Sequence, residues 1–339
     1  MKPLQSLLAS TVGCGFAAAM RFAASCGFSA ARCFAASCGF ASFRCSLLAF
    51  AVGCGFTAAI VSCSDEALSS QSVITADQHD LTAFDRWLQR NYVAPYNIRF
   101  KYRFEDNESD MNYFTVPSRY ADAVMLAHIV KYTCIEAYDE VGGIDFTRAY
   151  FPKLIFTIGE WEYRNNGTFI LGTAEGGRKI LLSGTNYLSQ YIANADDLNE
   201  YYLRTIHHEF THILNQTKDY PAEFQLITGT AYVADKWSEA PLDKGYLQRG
   251  FITPYAQHSD KEDFAEMLSM YVCSPAARWE AWMTEAGTAG ARAISAKLDI
   301  VKSYMLDTFG IDIDQLRNSL QRRQKQVTSG YIDLHSLEE

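Results

Sequence analysis

The pentapeptide HEFTH at residues 208–212 constrains this chain more than any other feature. On an α-helix, residues four apart lie about 40° apart around the axis and about one turn apart along it. His208 and His212 can therefore bind one metal ion. Glu209 then lies beside the ion, where it can take a proton from an activated water and pass it to a leaving amine. His207 is one position out of register and cannot replace His208.

The sequence around the pentapeptide predicts an amphipathic helix over residues 198–215. Asp196 and Asp197 are predicted to supply its N-terminal cap. The apolar residues at helical spacing are Leu198, Tyr202, Ile206, Phe210, Ile213 and Leu214. This context favours a metal site over a surface helix that carries histidines by accident.

A zinc site needs a third protein ligand and an open position for water. The segment EDFAE at residues 262–266 offers carboxylates at the start of a second helical pattern, which should pack beside the first. Glu262 and Glu266 share one face, so we expect Glu262 to bind the metal and Glu266 to orient a ligand histidine. Asp263 and His258 compete with Glu262 as the third ligand. Acidic residues in a first turn are also common because of the helix dipole.

On these residues the chain resembles the gluzincin metallopeptidases, in which HExxH is followed by a glutamate ligand on a later helix. The resemblance extends to Tyr255, since several gluzincins carry a tyrosine near this position that stabilises the oxyanion. From its own chemistry, the Tyr255 phenol could donate to a developing oxyanion, although a half-buried packing tyrosine is an alternative.

More closely, residues 84–266 resemble the substrate import-associated zinc metallohydrolase lipoproteins, a family of zinc-binding metallopeptidases. The residues that carry this likeness are the stretch 91–104 (NYVAPYNIRFKYRF), the HExxH helix and 262–266. The resemblance implies Zn²⁺ as cofactor and an outer-membrane lipoprotein near a paired TonB-linked receptor and its binding lipoprotein. It implies no particular substrate.

The amino terminus has the properties of an export leader. Residues 1–62 contain four basic side chains and no acidic one, and the uncharged run 46–62 is too short to span a bilayer comfortably. The segment IVSC at 60–63 is typical of a lipobox, which predicts lipidation of Cys63. Repeated Cys-Gly units in alanine-rich sequence argue against a packed domain here. A multi-span anchor is the alternative, although arginines divide the leader into pieces shorter than a span.

The residues after Cys63 predict a tether that reaches to about residue 77. Its acidic cluster, Ser64-Asp65-Glu66, resembles a signal that sends lipoproteins to the cell surface, which we expect over a periplasm-facing anchor. Of nine cysteines, only Cys134 and Cys273 follow the predicted lipid site, and they either pair or lie unpaired in the core. We therefore predict a leader at 1–62, a tether at 63–77 and one metallopeptidase domain at 78–339.

Charge restricts the partners of the predicted mature chain. Removal of the four basic leader residues reduces 30 basic residues to 26 against 39 acidic ones, a net charge of −13. This excess of acidic residues argues against nucleic acid or anionic lipid as a direct partner.

The pattern of elements predicts an α+β, zincin-like fold. Helical patterns at 77–89 and 118–138 flank an extended stretch at 96–104, and strand-like runs follow at 154–158, 168–174 and 179–182. The last two runs form a predicted hairpin whose edge either binds an extended peptide or is buried. A small mixed sheet thus precedes the HExxH helix. A mainly helical lobe follows Glu262, with breaks at Pro275 and 287–290 and a polar Arg/Gln-rich ending.

Together these features predict a lipid-anchored metalloendopeptidase-type hydrolase that acts on polypeptide outside the cytoplasm. The alternative is a non-catalytic lipoprotein that captures peptide or glycan for an outer-membrane import system, although such a protein has no need of Glu209 as a base. A purely structural zinc is less favoured, since two histidines and a glutamate around an open position differ from the closed, cysteine-rich sites typical of structural zinc.

Overall fold

A computed structural model describes residues 80–108, 112–113, 115–163, 169–175 and 178–338. The predicted leader, the tether and Cys63 lie outside the described residues, so those domain boundaries stay predictions. Among the described helices, none combines the length and apolarity needed to cross a membrane.

The sheet precedes the metal-site helix in the chain, as predicted. The described strands are β1 (Arg99–Lys101), β2 (Leu154–Thr157), β3 (Glu162–Tyr163), β4 (Phe169–Ile170), β5 (Gly172–Glu175) and β6 (Lys179–Leu182). Four of them form a mixed sheet in the order β1-β2-β6-β5, in which only the β5–β6 pair is antiparallel. β3 and β4 form a separate antiparallel pair. The predicted hairpin is confirmed, and β5 lies at one edge of the sheet, with β1 at the other.

Helices make up most of the remaining described fold. They are α1 (Ala83–Leu88), α2 (Ala94–Tyr96), α3 (Tyr120–Ile129), α4 (Glu136–Gly142), α5 (Ile144–Tyr150), α6 (Leu188–Tyr191), α7 (Ala195–Leu198), α8 (Arg204–Thr217), α9 (Glu223–Thr228), α10 (Asp260–Cys273), α11 (Ala276–Phe309) and α12 (Ile313–Thr328). Three π-helical segments, Gln89–Val93, Val130–Ile135 and Asn199–Leu203, join α1 to α2, α3 to α4 and α7 to α8. The chain therefore has the predicted α+β architecture.

Helices α8 and α10 pack against each other. Helix α8 is amphipathic, with Ile206, Phe210 and Leu214 buried on one side. Helix α10 is buried along almost its whole length, from Asp263 to Cys273, so it has neighbours on every side, including α8, α11 and α12. The second helix was therefore predicted correctly, both in its existence and in its packing beside the first.

Several sequence predictions need correction at the level of single elements. Asp196 and Asp197 do not cap the helical run, because the side chain of Asn194 accepts the hydrogen bond from the backbone N–H of Asp196 at 2.9 Å. The aspartates lie in the first turn instead. The predicted strand at 168–174 is divided between β4 and β5, and the extended stretch at 96–104 contains only three strand residues.

The helical lobe has the predicted breaks. Helix α10 ends at Cys273, and α11 is kinked at Gly287, whose φ of 66° lies in the region that favours glycine. The polar Arg/Gln-rich ending is itself helical: it forms α12, which buries Leu316, Leu320 and Val327 on one face. Composition alone does not reveal this amphipathic helix, because polar residues on its other faces outnumber the apolar ones.

Candidate metal centre

Three side chains from α8 and α10 place their donor atoms together. His208 Nε2 lies 3.0 Å from Glu262 Oε2, and His212 Nε2 lies 3.2 Å from the same oxygen. The two histidine nitrogens are 3.1 Å apart. Within the described part of the chain, these residues form the one group of three or more His, Cys, Asp or Glu side chains that could hold a metal ion.

The donor set fits zinc in type and spacing. Zinc binds imidazole nitrogen and carboxylate oxygen at about 2.0–2.2 Å in tetrahedral geometry, which separates donor atoms by roughly 3.3–3.5 Å. The observed separations of 3.0–3.2 Å are close to this value. Three protein donors also leave one tetrahedral position open, which is typical of catalytic rather than structural zinc. The residues present therefore fit the metal.

Local sequence explains how Glu262 reaches the histidines. The side chain of Ser259 caps α10 by accepting a hydrogen bond from the backbone N–H of Glu262 at 3.3 Å. This cap fixes the first turn of α10 at the level of His208 and His212. Glu262 thus occupies the position that the motif spacing predicted.

Contacts within the site shift the pKa values of His208 and Glu262 in the direction opposite to the effect of burial. Burial alone would lower the pKa of His208, but contacts with Glu262 and Glu266 raise it to about 10. Burial would likewise raise the pKa of Glu262, whereas contacts with His208 and His212 hold it well below its usual range. The carboxylates of Glu262 and Glu266 thus favour a positive charge next to them.

Glu266 lies behind His208, on the side away from the triad. Its Oε1 is 2.8 Å from His208 Nδ1, and its Oε2 accepts a hydrogen bond from Thr253 Oγ1 at 2.7 Å. This arrangement orients the imidazole so that Nε2 faces the other donors. Sequence reasoning placed Glu266 here but missed Thr253, because no local motif links this loop residue to α10.

The two competing ligands lie elsewhere. Asp263 is fully buried on a different face of α10, with Lys297 Nζ at 2.5 Å and the Tyr232 hydroxyl at 2.9 Å. Burial raises the pKa of Asp263 to about 6, against the opposing effect of Lys297. His258 Nε2 lies 3.3 Å from Asp235 Oδ1. The geometry thus separates both from the triad, and sequence reasoning missed Lys297 as the partner of Asp263.

His207 faces the core, as its register predicted. Its Nδ1 lies 3.1 Å from the Tyr138 hydroxyl, and its Nε2 lies 3.8 Å from Cys134 Sγ. Burial lowers the pKa of His207 to about 3, so it is neutral at physiological pH. Cys134 and Cys273 are both buried and unpaired. Of the two readings of these cysteines, the structure favours unpaired core residues.

A cleft of about 540 Å³ gives access to His208 and Glu209. Tyr255 also lines it, with its ring centroid 6.0 Å from that of His208 and 5.2 Å from that of Trp237. Burial and the nearby Glu262 carboxylate raise the pKa of the Tyr255 phenol, so the hydroxyl stays protonated and can donate a hydrogen bond. The predicted base and the predicted oxyanion donor therefore share one cleft.

The segment from β4 to the first residue of β5 contributes to the wall of the cleft. Residues 169–172 line it together with Thr205 and His208 of α8. A Cβ at position 172 would lie 2.5 Å from Leu181 O and 2.7 Å from Thr205 Cγ2. Glycine at this position therefore lets the edge strand approach the metal helix closely.

Comparisons with known proteins identify a family with the expected metal. Residues 77–314 match the model of a family described as "Putative zinc-binding metallo-peptidase". A crystal structure from Bacteroides caccae ATCC 43185 that carries the same description is similar to this chain, with 43% sequence identity and a TM-score of 0.66. The match covers 79% of this chain and 100% of that one. No curated protein matches.

Proposed function

The chain belongs to the zinc-binding metallo-peptidase family matched above, and we propose that it hydrolyses peptide bonds of polypeptides outside the cytoplasm. The observation that carries the proposal is the triad of His208, His212 and Glu262, with donor atoms 3.0–3.2 Å apart beside an open cleft. These three residues would hold the zinc. Glu209 follows the first of them in sequence and lines the same cleft.

Zinc, when bound, supplies a Lewis acid that makes water a nucleophile at neutral pH and polarises a carbonyl group. Glu209 takes the proton from the attacking water and passes it to the leaving amine. A carboxylate suits both steps because it accepts a proton in one and donates it in the other. The protonated hydroxyl of Tyr255 donates a hydrogen bond to the carbonyl oxygen as negative charge develops there.

Glu266 and Thr253 act through His208 and hold its ring in one orientation. The 2.8 Å contact of Glu266 Oε1 with His208 Nδ1 favours the tautomer whose Nε2 lone pair is available to a metal. The 2.7 Å hydrogen bond from Thr253 in turn fixes the Glu266 carboxylate. The site therefore rests on both the helix pair and the loop that precedes α10.

We further propose that the substrate binds as an extended strand along β5. This strand ends the sheet order, and its first residue lines the cleft, which supports pairing with a peptide over burial of the edge. Backbone pairing along an edge places no requirement on a chain end. It thus favours an endopeptidase, which cuts within a chain, over an enzyme that trims termini.

Anchoring and location are proposals that rest on the sequence. Cys63 would carry the lipid that holds the protein at the outer membrane, with the cell surface favoured by the acidic residues after it. A TonB-linked receptor and its binding lipoprotein are the proposed neighbours. Mass spectrometry of the mature amino terminus tests the anchor: a lipidated Cys63 is expected, and an unmodified chain that begins elsewhere contradicts it.

Digestion of a proteome-derived peptide library by the zinc-loaded protein tests the activity. Cleavage within peptides, lost after zinc removal and restored by added zinc, is the expected result. A zinc-loaded protein that cleaves no peptide contradicts the proposal and favours the non-catalytic peptide- or glycan-binding lipoprotein instead.

A further inference from the structure

The cleft beside the metal ligands adjoins a smaller cavity, which we call the second lobe of the cleft. The main cleft and this neighbouring cavity of about 120 Å³ are both lined by Glu200, Arg204, Met270, Arg278 and Trp282. We infer that this second lobe binds a carboxylate of the substrate and that Arg278 recognises it. The inference rests on the proposed peptidase function and adds the chemical class of a substrate residue.

The charges in the cleft single out Arg278. Arg204 is already paired with Glu200, through contacts of 3.0 Å and 3.2 Å between its two terminal nitrogens and the two carboxylate oxygens. Glu266 is engaged with His208, and Glu209 lies next to His208. Within the ranges that the structure describes, no carboxylate lies within 4.0 Å of the Arg278 guanidinium, including that of Asp196 on the rim.

A neighbouring aromatic ring holds Arg278 over the lobe. Its guanidinium carbon lies 5.4 Å from the ring centroid of Trp282, one helical turn further along α11. The N–H groups of arginine lie in the guanidinium plane, so stacking of that plane on an aromatic ring leaves them available to bind both oxygens of a carboxylate. The side chain is exposed, so a substrate carboxylate can reach it.

The lobe lies within reach of the scissile bond. Arg204 precedes His208 by four residues on α8, which places their backbones about 6 Å apart along the helix axis. An extended peptide advances about 3.3–3.6 Å per residue. A carboxylate in the lobe shared by Arg204 and Arg278 therefore belongs to a substrate residue about one or two positions from the bond that is cut.

The net negative charge of the protein does not favour an anionic substrate, so a local cation is needed to bind one. The chain has 39 acidic and 30 basic residues, so its general field repels an anionic substrate. A preference for a carboxylate must therefore come from groups in the cleft. The carboxylate has two possible sources, an acidic side chain or the C-terminal carboxylate of a peptide.

Peptide binding to the zinc-loaded Glu209→Gln protein tests the inference without turnover. The probes are fluorescein-labelled alanine heptapeptides with central Glu and an amidated end, central Gln and an amidated end, or central Gln and a free C-terminus. A carboxylate peptide should bind about 10-fold more tightly than the amidated Gln peptide, and the peptide that shows this identifies the source. Arg278→Gln in the same background should remove the preference.

The control is Arg292→Gln, an exposed arginine of the same helix that lines neither cavity; it should keep the preference. Arg278→Glu should reverse the order in favour of a central Lys peptide. Equal dissociation constants for all probes, no saturable binding, or a preference that survives Arg278→Gln overturns the inference. Cleavage of the same peptides by the parent protein is scored separately. Carboxylate-selective binding without cleavage sinks the peptidase proposal alone, whereas cleavage without selectivity sinks only the carboxylate site.

Discussion

The cleft face and the core face of the α8–α10 pair carry the same types of residue, a histidine and an acidic side chain, but these have different roles on the two faces. On the cleft face, His208 and Glu262 lie 3.0 Å apart in a site that fits zinc. On the core face, the adjacent residues His207 and Asp263 contact Tyr138 and Lys297 instead. Contacts with carboxylates raise the pKa of His208 to about 10 despite burial, whereas burial alone lowers that of His207 to about 3.

This contrast shows that residue type does not decide which side chain forms a site. A rotation of about 100° between successive helical residues separates each pair. The partners that each face meets then determine the charge state and the role. If this account is correct, changes on one face should leave the properties of the other intact.

The largest stability effect is expected on the core face. Lys297→Met leaves Asp263 buried without its cation and should lower the free energy of unfolding by about 3–5 kcal/mol. The double variant Asp263→Leu/Lys297→Met should recover much of this loss, because no buried charge remains. Denaturant titration measures both variants. Zinc content should stay near one per chain, and loss of zinc in the folded Lys297→Met protein would show that the two faces are not independent.

On the cleft face, Glu262→Ala should weaken zinc binding by more than about 100-fold, since it removes a direct ligand rather than an outer partner. The free energy of unfolding of the metal-free protein should change little in comparison with Lys297→Met. Competition with a chelator of known affinity measures the effect. If Glu262→Ala retains zinc while His258→Ala or Asp263→Ala loses it, the ligand is misassigned.

A smaller effect is expected at Glu266, which contacts the ligand His208 and not the metal position. Glu266→Ala should weaken zinc binding by about 10–100-fold, which corresponds to roughly 1.4–2.7 kcal/mol. The same chelator competition measures it. Thr253→Val provides a graded comparison, because it removes only the hydrogen bond to Glu266 and should have a weaker effect. An effect of Glu266→Ala equal to that of Glu262→Ala would argue for Glu266 as a ligand.

A further effect of similar size concerns pH and the core histidine. The pKa of His207 is about 3 in the folded state, against 6.5 for an ordinary histidine, so the unfolded state binds an extra proton between these values. Its contribution to stability is present above pH 6.5 and is lost as the pH falls. A fall from pH 7 to pH 5 should therefore lower the contribution of His207 to the free energy of unfolding by about 2 kcal/mol. Denaturation of the zinc-loaded parent and His207→Gln at both pH values tests this, and an unchanged pH dependence in the variant contradicts it.

The sequence predicted the parts of this molecule that depend on spacing along one helix. The HExxH register predicted that the side chains of His208 and His212 meet, and the EDFAE segment placed Glu262 and Glu266 on one face. Residues that reach the site only through tertiary packing could not be predicted from the sequence. Thr253 supports Glu266 from a loop, and Arg278 reaches the cleft from a third helix, so neither belongs to a local pattern.

The errors in the fold have a similar physical origin. The helical run begins with an Asn194 cap because the side chain that closes a helix end depends on the backbone path into it, which the composition of the first turn does not reveal. The division between β4 and β5 depends on pairing with different partners, β3 and β6. A single apolar run contains no information on that choice.

The central claim is that Glu209 moves the proton while His208, His212 and Glu262 hold the metal, and one measurement tests it most directly. Glu209→Gln keeps the size of the side chain but removes its ability to accept a proton. Peptide hydrolysis should fall by about 10²–10⁴-fold, while zinc remains at about one per chain. His208→Ala, in contrast, should lose zinc and activity together. A Glu209→Gln protein that cleaves peptides as fast as the parent would contradict the account.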